Sequence, residues 1–381
     1  MAELTDDQML EALRVYTEYG SAAEAARQIG LAPSTFKDRL YAARQRFPDG
    51  AELRDQLDVR VADGFAVKGY SQLTKLPNGD PIWIKADIER QKAVDAFNVA
   101  CGAMVDAVPR AAPVDAPEAA NDDLCNLYTY SDFHLGMLAQ AEEGGANWDI
   151  KIAERTLMSS FAMMLAQSPP AHTAVVNIQG DMLHSDGLLP VTPAHRHVLD
   201  QDGRFGRIVE TAIRSIRALV AMALEKHQAV HLVICEGNHD EASSVWLRLL
   251  FAAFYENEPR ISVNASELPF YVFVWGETML GFHHGHKVKN EQLPLLFAAQ
   301  FPQEWGLTKR RAVHCGHRHH CDEKEYNGVT VVQHPTIAAR DAYAARGGWI
   351  ADRAVQSITY SKRFGQVGRV FVTPEMLREA A

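Results

Sequence analysis

The sequence predicts an α/β protein with a layered catalytic part, preceded by a small helical segment, and three observations carry that expectation. From Leu124 onward the chain repeats apolar strand, polar loop and helix. Five of these strands run straight into short loops of glycine, aspartate, asparagine and histidine. All sixteen histidines lie at or after His134, so the chain has two chemically different parts.

Length and composition bound what those parts can be. A chain of 381 residues with 47% hydrophobic content can bury two or three domains. The amino terminus is acidic where a secretory signal would be basic, and no apolar run approaches a membrane span, so the expectation is a cytoplasmic protein without a membrane partner. Five cysteines form no Cys-x-x-Cys pair, which fits reduced thiols. A net charge of -10 argues against a broad nucleic-acid-coating surface and leaves only local basic patches for DNA.

Residues 1–50 read as short helices. Ser21 and Glu24 form a capping-box pattern, Ala22, Ala26 and Ile29 share a face, and Gly30 is placed to stop the helix. Ser34 is expected to cap a second helix whose Phe36, Leu40, Ala43 and Phe47 share a face, with Lys37, Arg39, Arg44 and Arg46 left outside. The run from Ala23 to Leu40 resembles the helix-turn-helix of transcription regulators and recombinases, whose second helix enters the major groove. The resemblance implies DNA contact through those four basic residues. Against it stands the local balance of six basic and eight acidic residues in 1–50, and packing or homo-oligomer assembly is the plainer use of such a hairpin.

The stretch 51–123 is less legible. Asn78-Gly79, with Tyr70, Leu73, Ile82 and Trp83 around it, signals a β-hairpin over 65–85 with a type I′ turn. Phe97, Cys101, Met104 and Val108 suggest a helical core stripe after about Asp87, and the Ala-, Pro- and Asp-rich run 106–123 reads as a linker.

The third region, 124–381, holds the strand ends. Leu127 to Tyr130 leads into Ser131-Asp132-Phe133-His134; if the chain stays extended there, Asp132 and His134 emerge on one side. Ala174 to Gln179 runs into Gly180-Asp181, and Val230 to Cys235 into Glu236-Gly237-Asn238-His239-Asp240. Thr278 to Phe282 leads into His283-His284-Gly285-His286, and Ala312 to Cys315 into Gly316-His317-Arg318-His319. In layered α/β proteins ligands sit beyond the carboxyl ends of strands, so these loops can converge on one crevice.

Taken together and in this order, DxH, GD, GNHD, a histidine motif and GHxH resemble the calcineurin-like metallophosphoesterase superfamily. The resemblance spans nearly all of 124–372. It implies a two-sheet β-sandwich flanked by helices and two divalent ions. Asp132, His134 and His319 would hold one ion, Asn238, His284 and His317 the other, with Asp181 bridging both and His239 as the catalytic residue. Mixed His, Asp and Asn ligands suit Mn, with Fe or Zn as alternatives. Two such cations about 3.5–4 Å apart clamp a phosphoryl oxygen and turn a bridging water into hydroxide near neutral pH. His239, adjacent to a ligand but not needed as one, can protonate the leaving oxygen, and Asp240 is placed in sequence to orient it. His283 and His286 compete with His284 for the fourth motif.

The second motif lacks the GDxxDRG extension of protein phosphatases, reading Gly180-Asp-Met-Leu-His-Ser-Asp-Gly187, which weakens a phosphoprotein substrate. The opening and third motifs are closer to the double-strand-break repair nucleases and related small-molecule phosphodiesterases of the superfamily. His184, His195, His197 and Arg204 lie in an irregular stretch after Asp181 where a substrate-shaping insertion fits. Three functions follow: a DNA nuclease recruited by the helical segment, a nucleotide or cyclic-nucleotide phosphodiesterase or phosphatase that uses that segment for assembly, and a binding module with a silent site, like the retromer subunit of this fold. The intact ligand set disfavours the third.

Overall fold

The computed structural model describes residues 5–46, 70–75, 81–86, 99, 101–102, 108–118 and 120–379. Two compact units are present, Met1–Asp95 and Ala96–Ala381.

The first unit opens with three helices, α1 (Asp6–Tyr19), α2 (Ala22–Gln28) and α3 (Pro33–Arg46). A capping box starts α1, and it is formed by Thr5 and Gln8. The expected box at Ser21 does not form: Ser21 makes no side-chain cap bond, and Glu24 pairs instead with Arg27 at 2.5 Å. Gly30 takes φ 67°, which lets Leu31 N–H reach back to the Ala26 carbonyl (2.9 Å) and close the helix end. Ser34 does not cap α3 either, because the helix already begins at Pro33, whose missing N–H costs nothing in the first turn. Ala12, Val15, Ala25, Ala26, Phe36 and Leu40 make this unit's small core. The hairpin exists as β1 (Tyr70–Lys75) and β2 (Pro81–Ala86), antiparallel from Tyr70↔Ala86 to Lys75↔Pro81. Its Asn78-Gly79 turn lies outside the described residues, as do Phe97 and Met104 of the expected helical stripe; of the other two, Cys101 is buried and Val108 packs against the second unit's core.

The second unit is a sandwich of two sheets. One carries β3 (Leu124–Tyr130), β4 (Thr173–Ile178), β5 (Ala229–Ile234), β6 (Ile261–Val263), β12 (Val355–Ser361) and β13 (Gly365–Val372) in the order β13-β12-β3-β4-β5-β6. Strands β3 to β6 are parallel, with β12 and β13 added antiparallel at one side. The other sheet runs β10 (Asp322–Tyr326), β11 (Val329–Gln333), β9 (Arg310–Cys315), β8 (Thr278–Phe282), β7 (Tyr271–Trp275).

The two-residue period of the strands explains the layers. Tyr128, Tyr130, Val176, Ile178, Leu232 and Ile234 face helices Ile150–Gln167, Phe205–Lys226 and Glu241–Phe254. Their neighbours Leu127, Val175 and Val233 point the other way, onto Leu280, Phe282 and Val332 of the second sheet. Both faces of the central strands are therefore buried, which is why they read as continuous apolar runs.

The run expected as a linker carries no regular structure over 108–118, yet it is tied to its own unit. Ala111 N–H donates to the Phe254 carbonyl (2.6 Å), Val114 N–H to Glu258 (2.7 Å), and Arg260 donates to the carbonyls of Val114 and Asp115. All five cysteines are free thiols. Among the described residues no helix is long and apolar enough to cross a membrane.

Candidate metal centre

The loops leaving β3 and β4 are hydrogen-bonded to each other. Asp132 N–H donates to the Gly180 carbonyl (3.2 Å), His134 N–H to Asp181 (2.9 Å) and Leu135 N–H to Met182 (2.8 Å). The chain does not stay extended past Ser131 as the sequence suggested. Asp132 and His134 both take left-handed φ values, 52° and 48°, so the shared direction of their side chains comes from two turns and not from strand alternation. Asp181, His317 and His319 do the same, at 51°, 72° and 60°. Such backbone costs roughly 1–3 kcal/mol per residue and persists only where the surroundings impose it.

The second sheet contributes in the same way. His283 N–H donates to the His314 carbonyl (3.0 Å) and Gly316 N–H to His284 (2.7 Å), and His317 N–H crosses to Asp132 Oδ2 (2.9 Å). Close approach dictates two glycines here. A Cβ on Gly180 would lie 2.5 Å from His284 Nδ1, and one on Gly237 would strike Asp181 Oδ1.

Ligand-type atoms of Asp132, His134 and His319 lie within 4.8 Å of one another, and so do those of Asp132, Asp181, His284 and His317. Within these groups Asp132 Oδ1 is 3.2 Å from His319 Nε2, and His134 Nε2 is 3.4 Å from the same atom. His284 donates Nδ1–H to the Gln179 carbonyl (2.9 Å), which turns Nε2 toward Asp181 Oδ2 (3.1 Å), Asn238 Oδ1 (3.2 Å) and Asp132 Oδ1 (3.8 Å). Three oxygens around one imidazole nitrogen can be reconciled by a proton or by a cation among them.

The electrostatics express the same demand. Burial alone would raise the Asp132 and Asp181 carboxyls, but His319 and His284 beside Asp132, and His284 and His239 beside Asp181, hold both well below the usual range. Burial opposes charge on His284, yet Asp181 and Asp132 push its pKa up to about 10. His319 is raised likewise, burial being outweighed by Asp132. Burial, then His239, keeps His134 well below its ordinary value, and burial followed by His284 lowers His317. Asp132 Oδ1 is buried and makes no hydrogen bond. A mixed carboxylate and imidazole set with an unbonded carboxylate oxygen fits divalent Mn, Fe or Zn.

His239 sits beside this set, its ring centroid 4.7 Å from that of His134. Its Nδ1–H donates to the His184 carbonyl (2.8 Å), leaving Nε2 free, and its main-chain N–H donates to Asp181 Oδ1 (2.8 Å). Asp240 does not orient it. The Asp240 carboxylate instead accepts the N–H groups of Asp181, Gly237 and Leu183, all at 3.1 Å, and so fastens the β4 and β5 loops together. Burial, then Asp181, pushes its pKa up to about 8.

Of the competing histidines, His284 is the one in the cluster. His283 turns its Nδ1–H to the Pro269 carbonyl (2.8 Å), and both ring nitrogens of His286 are buried without a hydrogen bond. His195 and His197 lie on the surface, with His197 against Tyr343 at 6.3 Å, and Arg204 precedes the helix Phe205–Lys226. In the first unit Lys37 is exposed and Arg39 half-buried with its Nε unpartnered; the side chains of Arg44 and Arg46 lie outside the described residues.

Several contributors had no signal in the sequence. Ser131 donates to Asp132 Oδ2, and Thr336 Oγ1 donates to the Asp132 carbonyl (2.7 Å). Asp186 caps the helix Glu241–Phe254 from outside, accepting from Ala242 and Ser243 N–H, both at 2.7 Å. His184, read as a loop residue, is buried against both His134 and His239.

No family model and no curated protein matches the sequence. Among solved structures the chain is similar to a conserved protein of Streptococcus pneumoniae described as a predicted phosphoesterase (12% identity, 66% of this chain and 91% of that chain, TM-score 0.27). It is also similar to an archaeal phosphodiesterase (12%, 65% and 98%, TM-score 0.32) and to Vps29 of Entamoeba histolytica complexed with zinc (12%, 65% and 98%, TM-score 0.26). Scores this low transfer no activity.

Proposed function

We propose that the chain is a two-metal-dependent phosphodiesterase and that DNA is its substrate. One observation carries the reading: the loops after β3, β4, β8 and β9, from two sheets, bring Asp132, His134 and His319 into one group and Asp132, Asp181, His284 and His317 into another, with Asn238 of the β5 loop against His284 and a buried Asp132 oxygen left unbonded. Asp132, His134 and His319 would hold one ion and Asn238, His284 and His317 the other, with Asp181 serving both; Mn is the expected metal. Bound there, the ions would neutralise a phosphodiester and supply a nucleophile from water at neutral pH.

The chain's own residues do the rest. The His184 carbonyl fixes a proton of His239 on Nδ1, so Nε2 is the atom that, once protonated, can pass its proton to the leaving oxygen. Asp240 keeps the Asp181 loop in register with Asn238. In the first unit, Lys37, Arg39, Arg44 and Arg46 are the residues proposed to contact DNA, with the α2–α3 pair as the reading element.

A nucleotide or cyclic-nucleotide substrate is the second reading, favoured by the acidic balance of residues 1–50. The test is hydrolysis by the purified chain with Mn of single-stranded DNA, duplex DNA, cyclic nucleotides and a chromogenic phosphodiester. Turnover of DNA well above the small esters supports the first reading. Turnover of cyclic nucleotides alone supports the second, and no hydrolysis of any of them overturns both.

A further inference from the structure

His184 lies three residues after Asp181 and is 1% exposed. Its ring meets His134 edge-on (centroids 5.3 Å, 83°) and stacks on His239 (5.6 Å, 22°). Its Nδ1 is 3.3 Å from His134 Nδ1, close enough for one nitrogen to donate to the other.

The tautomers follow in sequence. A neutral imidazole has one donor and one acceptor nitrogen. His319 Nε2 faces Asp132 Oδ1, a carboxylate oxygen that only accepts, at 3.2 Å, so it carries a hydrogen, and His134 Nε2, 3.4 Å from it, presents its lone pair. The hydrogen of His134 is therefore on Nδ1, and His184 Nδ1 accepts it. We propose that His184 is a positioning residue that holds His134 in the tautomer able to ligate a cation through Nε2. A metal-ligating histidine needs its second N–H accepted to fix ring and tautomer. Here a third imidazole is the acceptor. Through its own carbonyl the same residue fixes His239, so one position sets two rings by two different groups.

The inference rests on the metal reading above only for its consequence; the tautomer itself is a property of the metal-free protein. Two measurements test it. In metal-free protein labelled with 15N-histidine, the His134 resonances, identified by their loss in His134→Gln, should show a protonated Nδ1 and an unprotonated Nε2. In a metal titration, His184→Leu should weaken one of two sites by roughly 10- to 100-fold and leave the other near wild type. His184→Asn, whose Oδ1 can stand where Nδ1 stood, should recover much of that loss. Protonated Nε2 on His134 in the wild type would overturn the proposal, as would unchanged affinities in His184→Leu. A third ion per chain that is lost in His184→Leu would also overturn it, by making His184 a ligand. Should the expected tautomer be found in a chain that binds no metal, the positioning stands and the phosphodiesterase reading fails.

Discussion

Asp181 accepts the His239 N–H on one carboxylate oxygen and faces His284 with the other. If it bridges two ions, Asp181→Asn should impair both sites; metal analysis and titration check this, and two ions at unchanged affinity would contradict the assignment. His239 is different in kind, since its ring nitrogen is not needed as a ligand. His239→Ala should retain its metals and lose about 10²- to 10⁴-fold in turnover on a diester with a poor leaving group. A nitrophenyl ester should lose less, because nitrophenolate leaves without a proton. Equal losses on both esters would remove the proton-transfer role. At this scale the sequence was readable in residue type but not in direction. Asp240 follows His239 in the chain yet points its carboxylate at three main-chain N–H groups of other loops, and adjacency alone held no information about that.

Elements were legible where a period announces them. The apolar runs of β3, β4, β5, β8 and β9 match the expected strands to within a few residues, because strands buried on both faces have no competing pattern. Their exits were not legible. Left-handed aspartate and histidine at five positions are imposed by hydrogen bonds between loops distant in sequence, and no local propensity encodes them. The same holds for Asp186, which caps the helix Glu241–Phe254 although 56 residues separate it from Ala242. Asp186→Ala should cost about 1 kcal/mol in denaturant unfolding, the usual value of an N-terminal cap, and a neutral result would show that Asp240 takes over. For the helices of the first unit the expectation concerns recruitment. Deleting residues 1–50 should spare hydrolysis of a small diester and lower that of DNA. Neutralising Lys37, Arg39, Arg44 and Arg46 should flatten the log-log salt dependence of duplex binding by up to ~0.9 per lost phosphate contact. Unchanged DNA turnover and slope would return those helices to a packing role.

For the whole molecule, buried histidines away from the cluster make stability depend on acid. Burial lowers His227 to about 4 and His334 to about 3. Each stays neutral in the folded chain while its unfolded counterpart takes up a proton near pH 6.5. Their contribution is therefore complete above that pH and declines as pH falls from 6.5 toward 4, by about 1.4 kcal/mol per pH unit for each group. His227, held between Tyr128 Oη (3.0 Å) and the Ala171 carbonyl (2.8 Å), is the simplest to isolate. His227→Gln should unfold with a shallower loss of stability between pH 6 and pH 4.5, and a slope equal to that of the wild type would show that this ring charges freely in the folded state.

The distance along the chain between the two halves of the cluster has a further effect, on timing. His134 and His319 meet across 185 residues, and Thr336 reaches Asp132 across 204. Strand β3 must also wait for β12 to cover its free edge. At about 5–20 residues per second, the ribosome makes the Asp132 loop roughly 10–40 seconds before the histidines that complete it. Pairing over such separations is slow in refolding as well, since loop closure comes before its reward. Metal capture should then be a terminal event of folding rather than its nucleus. In a refolding time course, helix signal should return first and the affinity for an added divalent metal last.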